Sequence, residues 1–301
     1  MTNLNRFRPG CLKSALYLII FATIITLMVF GAALYAQVIL LTTPFRQPVE
    51  HAPDFAPYQD VAFTAEDGLQ LAGWYLPGRR PDGVILVHGI HANRAYLLPQ
   101  ARFLAEAGYH LLILDLRGHG ESDGALITYG YNEAEDVKAG VSYLLAQPGV
   151  ERVAALGHSL GAAAVIRAAA EDDRIEALIV QSSFSSLSQA VEDSFETYSL
   201  FPRWPFAPLI IDLAEYRTGV EMGQISSRRD LAEMTPRPVL IIHSEADNIF
   251  PVDHAWVMYE AARGAKDIWI IDDLPHINPI EQHEVEYKQR VLNFLDGLLA
   301  R

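Results

Sequence analysis

The sequence predicts a three-layer α/β domain, with a mostly parallel eight-stranded sheet covered by helices on both faces, preceded by one membrane-crossing helix. Two patterns and one stretch predict it. Short apolar runs alternate with helix-length segments from residue 58 onward. Most of those runs are apolar throughout and not alternately polar, as strands are when helices cover both sheet faces. Ahead of them lies SALYLIIFATIITLMVFGAALYAQVILL, residues 14–41, without one charged side chain.

About 20 helical residues cross a hydrocarbon core of about 30 Å, so residues 14–41 suffice as an anchor. Arg6, Arg8 and Lys13 precede the stretch, and only Arg46 lies close behind it. That asymmetry puts residues 1–13 in the cytoplasm and the rest of the chain outside. A cleaved signal peptide, leaving a secreted domain, is the rival reading; its apolar region is normally about 7–15 residues, shorter than this one. Residues 42–57 carry prolines at 44, 48, 53 and 57 and read as an extended stalk reaching at most about 50 Å.

The remaining domain is then 58–301. Strands are expected at 61–64 and 71–76, which form an antiparallel edge hairpin around the turn EDG, and at 84–88, 110–116, 152–157, 177–181, 238–243 and 267–272. Apolar residues at threes and fours place helices in AYLLPQARFLAEAG, NEAEDVKAGVSYLLAQ, LGAAAVIRAAAED, DHAWVMYEAARG and EVEYKQRVLNFLDGLL. The insertion at about 183–235 is too long for an ordinary connection and is expected to be a lid.

A net charge of −14 argues against a nucleic-acid partner. The single cysteine, Cys11, excludes an internal disulfide, a four-cysteine zinc site and a thiol nucleophile in the folded domain. His88 and His91 have ligand-like spacing, but no HExxH motif or carboxylate set accompanies them, so no metal is expected.

The chemistry centres on GHSLG, residues 157–161. Ser159 directly follows one predicted strand and precedes a predicted helix, the setting in which G-x-S-x-G forms a nucleophile elbow. Side chains at 157 and 161 would collide with the neighbouring strand and helix. A helix-capping serine between packing glycines is the bland reading of the same five residues. Two further residues favour chemistry. Asp247 falls just past the seventh strand and His276 just past the eighth, giving the chain order Ser, Asp, His that this scaffold requires of a nucleophile, its orienting acid and its base. His283 is the competing base. Asp253, Asp272 and Asp273 are the competing acids, Asp253 being read as a helix cap. Asp115, Arg117 and Glu121 are expected to form a buried ion pair that orders a loop.

With LVHG (86–89), DLRGHGES (115–122), GHSLG (157–161), EADNIFPVDH (245–254) and LPHIN (274–278), the sequence resembles the α/β-hydrolase superfamily of serine hydrolases over about residues 60–300. Its architecture is similar to that of small single-pass membrane-anchored members. The resemblance implies a triad of Ser159, Asp247 and His276, an oxyanion hole from the backbone N–H groups of Leu160 and Ile90, and no metal or organic cofactor. It departs from the common pattern in lacking a glycine just before the histidine. The implied reaction is hydrolysis of an ester, thioester or related acyl bond in a small-molecule or lipid-like substrate. An acyltransferase with the same triad and a catalytically idle, membrane-tethered binding module are the alternatives; aspartate-nucleophile relatives are excluded as models by Ser159. In the lid, Phe201, Trp204 and Phe206, with Leu209 and Ile210, are read either as an acyl-binding lining or membrane contact, or as ordinary packing.

Overall fold

A computed structural model describes residues 9–276 and 278–299. Most of the expected cytoplasmic segment 1–13 and the final residues, 300 and 301, lie outside it. The chain opens with one long helix, α1 (Pro9–Thr42), which extends past both ends of the apolar stretch. After it come β1 (Gln59–Thr64), β2 (Gln70–Leu76), β3 (Asp82–Val87), α2 (Leu98–Glu106), β4 (His110–Leu114), α3 (Glu133–Leu145), β5 (Arg152–His158), α4 (Leu160–Glu171) and β6 (Ile175–Gln181). The insertion holds α5 (Leu187–Tyr198), α6 (Arg203–Thr218) and α7 (Ser227–Glu233). The fold closes with β7 (Val239–Ser244), α8 (Asp253–Ala261), β8 (Lys266–Ile271) and α9 (Glu284–Leu299).

The strands form one sheet in the order β1-β2-β4-β3-β5-β6-β7-β8. β1 and β2 pair antiparallel at one edge, β2 runs antiparallel to β4, and every later pair is parallel. All eight expected strands are present, and the six central ones bury residues toward both faces. One apolar cluster joins Ile85, Leu112, Ala155 and Val180 to α3 and α4. The other joins Leu86, Ile113, Leu156 and Ile242 to α2 and α9. Such a sheet leaves only the loops at the carboxyl ends of its strands free to carry polar chemistry.

The proline-rich segment differs from expectation. It does not hold the domain away from α1. Arg46 donates to the carbonyls of Gly120, Ser122 and Gly124, and Asn93 Nδ2 donates to the carbonyls of Gln47 and Pro48. Proline removes backbone donors and enforces extended chain, but it leaves carbonyls and neighbouring side chains free to dock. The stalk therefore lies along the domain, and the last turns of α1 belong to the domain's packing: Leu34, Gln37, Val38 and Thr42 are buried.

Candidate active site

Ser159 sits between β5 and α4 with φ 54° and ψ −115°, a conformation strained for any residue but glycine. The neighbouring glycines make that turn possible. A Cβ on Gly157 would lie 2.5 Å from the carbonyl oxygen of Gly161, and one on Gly161 would lie 2.4 Å from the carbonyls of Val87 and His88. Although Ser159 occupies the N-cap position of α4, its side chain makes no capping hydrogen bond. The hydroxyl is instead 3.0 Å from His276 Nε2. That disposes of the capping reading.

His276 Nδ1 is in turn 2.7 Å from Asp247 Oδ2. Asp247 is fixed from its other oxygen, since Oδ1 accepts the backbone N–H groups of Ile249 and Phe250 at 2.9 Å each. Burial pushes the Asp247 carboxyl up, but the hydrogen bond and charge of His276 and the two amides outweigh it and hold the group below its ordinary value. The His276 amide donates to Asn248 Oδ1. The rings of His158 and Phe250 border the imidazole, with centroids 5.6 and 5.2 Å away. The structure thus brings together three side chains drawn from the carboxyl ends of β5, β7 and β8.

Leu160 opens α4, so its N–H is one of the first-turn donors without an intrahelical acceptor. Among the described residues no acceptor takes the Ile90 N–H. The Gly89–Ile90 turn lies against the nucleophile: a Cβ on Gly89 would come within 3.2 Å of Ser159 Cβ. His88 shapes this turn from below. Its Nε2 accepts the Leu116 amide, so the proton resides on Nδ1, which donates to the Gly89 carbonyl at 2.7 Å. Two contacts here carry no sequence signal. The His91 amide donates to His119 Nε2, and the Phe45 amide, from the proline-rich segment, donates to His91 Nδ1.

The competing residues lie elsewhere. His283 pairs with Asp273 at the surface, 3.1 Å away. Asp253 is the first residue of α8 and not its cap; Val252 holds the cap position. The expected ion pair around Asp115 is two networks. Asp115 binds Arg94, which also holds Glu121, whereas Arg117 binds Asp136 and Asp67. Burial raises Asp136 to about 7 despite Arg117. Among the described residues no cluster of His, Cys, Asp and Glu is arranged to hold a metal ion.

A second serine, Ser185, also approaches a histidine. Its hydroxyl lies 2.9 Å from His254 Nδ1, and Asp193 of α5 lies 3.1 Å from Nε2 in poor hydrogen-bonding geometry. The Ser185 amide donates to the same Nδ1. With its acceptor nitrogen already shared, this imidazole holds the insertion to α8.

The lid aromatics are placed differently from an acyl lining. Phe201 and Phe206 pack on Phe30 of α1, at 5.6 and 5.2 Å between centroids, and Trp204 is 79% exposed. The reason is that α6 lies alongside the end of α1, which spends those rings on that helix. Ile210 is buried and Leu209 is largely exposed.

Several histidines near the site are held neutral by burial. His88 is lowered to about 4, His119 to about 3 and His158 to about 3. In the unfolded chain each takes up a proton near 6.5. Stability is therefore fully present above that pH and is lost as pH falls from there toward the folded values. At about pH 5 the loss is about 2 kcal/mol per histidine. Thermal unfolding of the full chain should show Tm falling steadily between about pH 7 and pH 5; a flat Tm over that window would mean these rings are not locked neutral.

Comparison with known proteins agrees with the fold. Residues 83–208 match the family model described as α/β hydrolase fold. YfhR of Salmonella typhi, described as uncharacterized, is 29% identical over 270 residues, covering 83% of this chain and 85% of that protein. YqkD of Bacillus subtilis, also described as uncharacterized, is 27% identical over 235 residues, with 77% of each chain covered. The solved Pyrococcus furiosus esterase Pf2001 superposes with a TM-score of 0.72 at 27% identity, covering 85% of this chain and 99% of that one.

Proposed function

Because this chain is an α/β hydrolase by fold, we propose that it is a membrane-anchored serine hydrolase that cleaves an ester, thioester or related acyl bond. The observation that carries the reading is the unbroken relay of Ser159 Oγ to His276 Nε2 at 3.0 Å and His276 Nδ1 to Asp247 Oδ2 at 2.7 Å.

In this reading Ser159 Oγ attacks the acyl carbon as its proton passes to His276 Nε2. Asp247 keeps the Nδ1–H tautomer in place and stabilises the imidazolium that forms. The substrate oxygen, now negative, receives the N–H groups of Leu160 and Ile90, each such donor being worth about 3 kcal/mol. Collapse expels the alcohol or thiol with the proton from Nε2. Water then repeats the sequence on the acyl-serine and regenerates the enzyme. Every proton moves on this chain's own residues.

The anchor is α1. Residues 15–29 of the helix are exposed and, but for Thr23 and Thr26, apolar, which suits lipid and not water, whereas its last turns are built into the domain. Removal of the helix as a signal peptide would strip Phe30 and Leu34 from a packed cluster. The basic residues before it favour a cytoplasmic amino terminus and a catalytic domain on the other side.

Product analysis with p-nitrophenyl acetate tests the reaction class. Free acetate is expected whether or not an alcohol is added. Acetate ester of the added alcohol as the main product would convert the reading to acyl transfer, and no release of nitrophenol would refute it.

A further inference from the structure

The anchor and the lid are one packed unit, and its orientation is fixed. α6 runs parallel to the end of α1. The turn leading into it meets Phe30 through Phe201 and its first turn does so through Phe206, while Arg217 near its other end donates to Thr42 Oγ1 at 2.8 Å. The turn between α5 and α6 therefore points back along α1 toward the bilayer. Depth follows from helix length. About 20 residues cross the hydrocarbon, and counted from Ser14 they end near Ala33, so Phe30 lies inside the outer edge. Residues packed beside Phe30 share that depth. At the same turn Leu200 is 90% exposed and Trp204 is 79% exposed, two large apolar side chains that cover nothing in the protein. Tryptophan is the side chain most suited to the membrane–water boundary.

From these observations we infer that the α5–α6 turn is seated in the outer leaflet beside α1, and that the triad draws its acyl substrate from that leaflet. The inference rests on the hydrolase reading for its second half only. The seam behind the turn leads toward the site. Gln37 of α1 donates to the carbonyl of Tyr198, the last residue of α5, at 2.7 Å. Leu34, Phe195 and Phe184 belong to the same apolar cluster, and Phe250, packed against Phe184, stands edge-on to the His276 ring. A continuous run of apolar side chains, Leu34, Phe195, Phe184 and Phe250, thus links the turn beside Leu200 to the His276 imidazole. The turn's partner is the acyl region of a bilayer, reached through contact continuous with α1.

The test uses the full chain reconstituted in phosphatidylcholine vesicles. Fluorescence of Trp204, taken as the difference between the chain and its Trp204→Phe variant, should be quenched by phosphatidylcholine brominated on its acyl chains and spared by iodide in the aqueous phase. Quenching by iodide alone overturns the seating. In parallel, Leu200→Asp should lower turnover of p-nitrophenyl palmitate held in the vesicles by about tenfold or more, because a carboxylate resists entering the leaflet, and leave turnover of water-soluble p-nitrophenyl acetate unchanged. Equal loss on both esters, or loss on neither, overturns delivery from the leaflet. If the unaltered chain hydrolyses neither ester, the hydrolase reading fails, and the Trp204 measurement alone decides the seating.

Discussion

Replacing Ser159 with alanine is expected to lower kcat on an activated ester by about 10⁴- to 10⁶-fold, with thermal stability kept or raised. The size follows from the site. The hydroxyl is the atom that His276 Nε2 addresses, and no other hydroxyl stands on that nitrogen among the described residues. Stability should survive because the serine makes no capping bond to α4, so alanine loses no helix contact. The strained φ of 54° remains, since alanine is no freer there than serine. Kinetics and thermal unfolding measured on the same preparation check both halves. A residual rate within tenfold of the unaltered chain would remove Ser159 from the mechanism.

Asp247→Asn should cost about 10⁴-fold in kcat with little change in fold. The substitution is informative because only one face of the side chain changes its chemistry. The amide oxygen can still accept the Ile249 and Phe250 amides that now bind Oδ1, so the side chain stays where it is. Its nitrogen then faces His276 Nδ1 as a donor. The imidazole must answer with a lone pair at Nδ1, which puts its proton on Nε2, toward Ser159, where an acceptor is required. The depressed pKa of Asp247 means that the native carboxylate stays ionised well into acid, so the loss should be visible across the neutral range. A loss of less than tenfold, measured as kcat at about pH 7, would contradict the orienting role given to this residue.

Much of this was legible before any coordinates. The central strands announce themselves because a sheet covered on both faces admits apolar residues in unbroken runs, as in VILV and VLII. The loops that carry Asp247 and His276 could be placed because each follows such a run. Asp247 and His276 therefore stood out among the acids and histidines by position and not by type. Ser159 stood out by the two glycines whose absent side chains the turn demands.

What stayed hidden has a common cause. Contacts between segments distant in sequence leave no periodic trace. Leu34 and Val38 look like any lipid-facing residues of α1, yet they pack on the lid, because lipid and protein core select the same side chains. The prolines of residues 42–57 correctly signalled extended chain, but not that Arg46 would find three carbonyls on which to dock it. Phe201 and Phe206 have the composition of a substrate pocket and the position of a contact with α1. Arg94, which holds Asp115, lies 21 residues away with no motif to join them.

The central claim is that Ser159 is the nucleophile, and covalent trapping tests it without knowledge of the natural substrate. The full chain treated with a fluorophosphonate and mapped by peptide mass spectrometry should carry one adduct, on Ser159, abolished by Ser159→Ala and suppressed by Asp247→Asn. An adduct on Ser185, the other serine facing a histidine, or labelling undiminished in Ser159→Ala would contradict it.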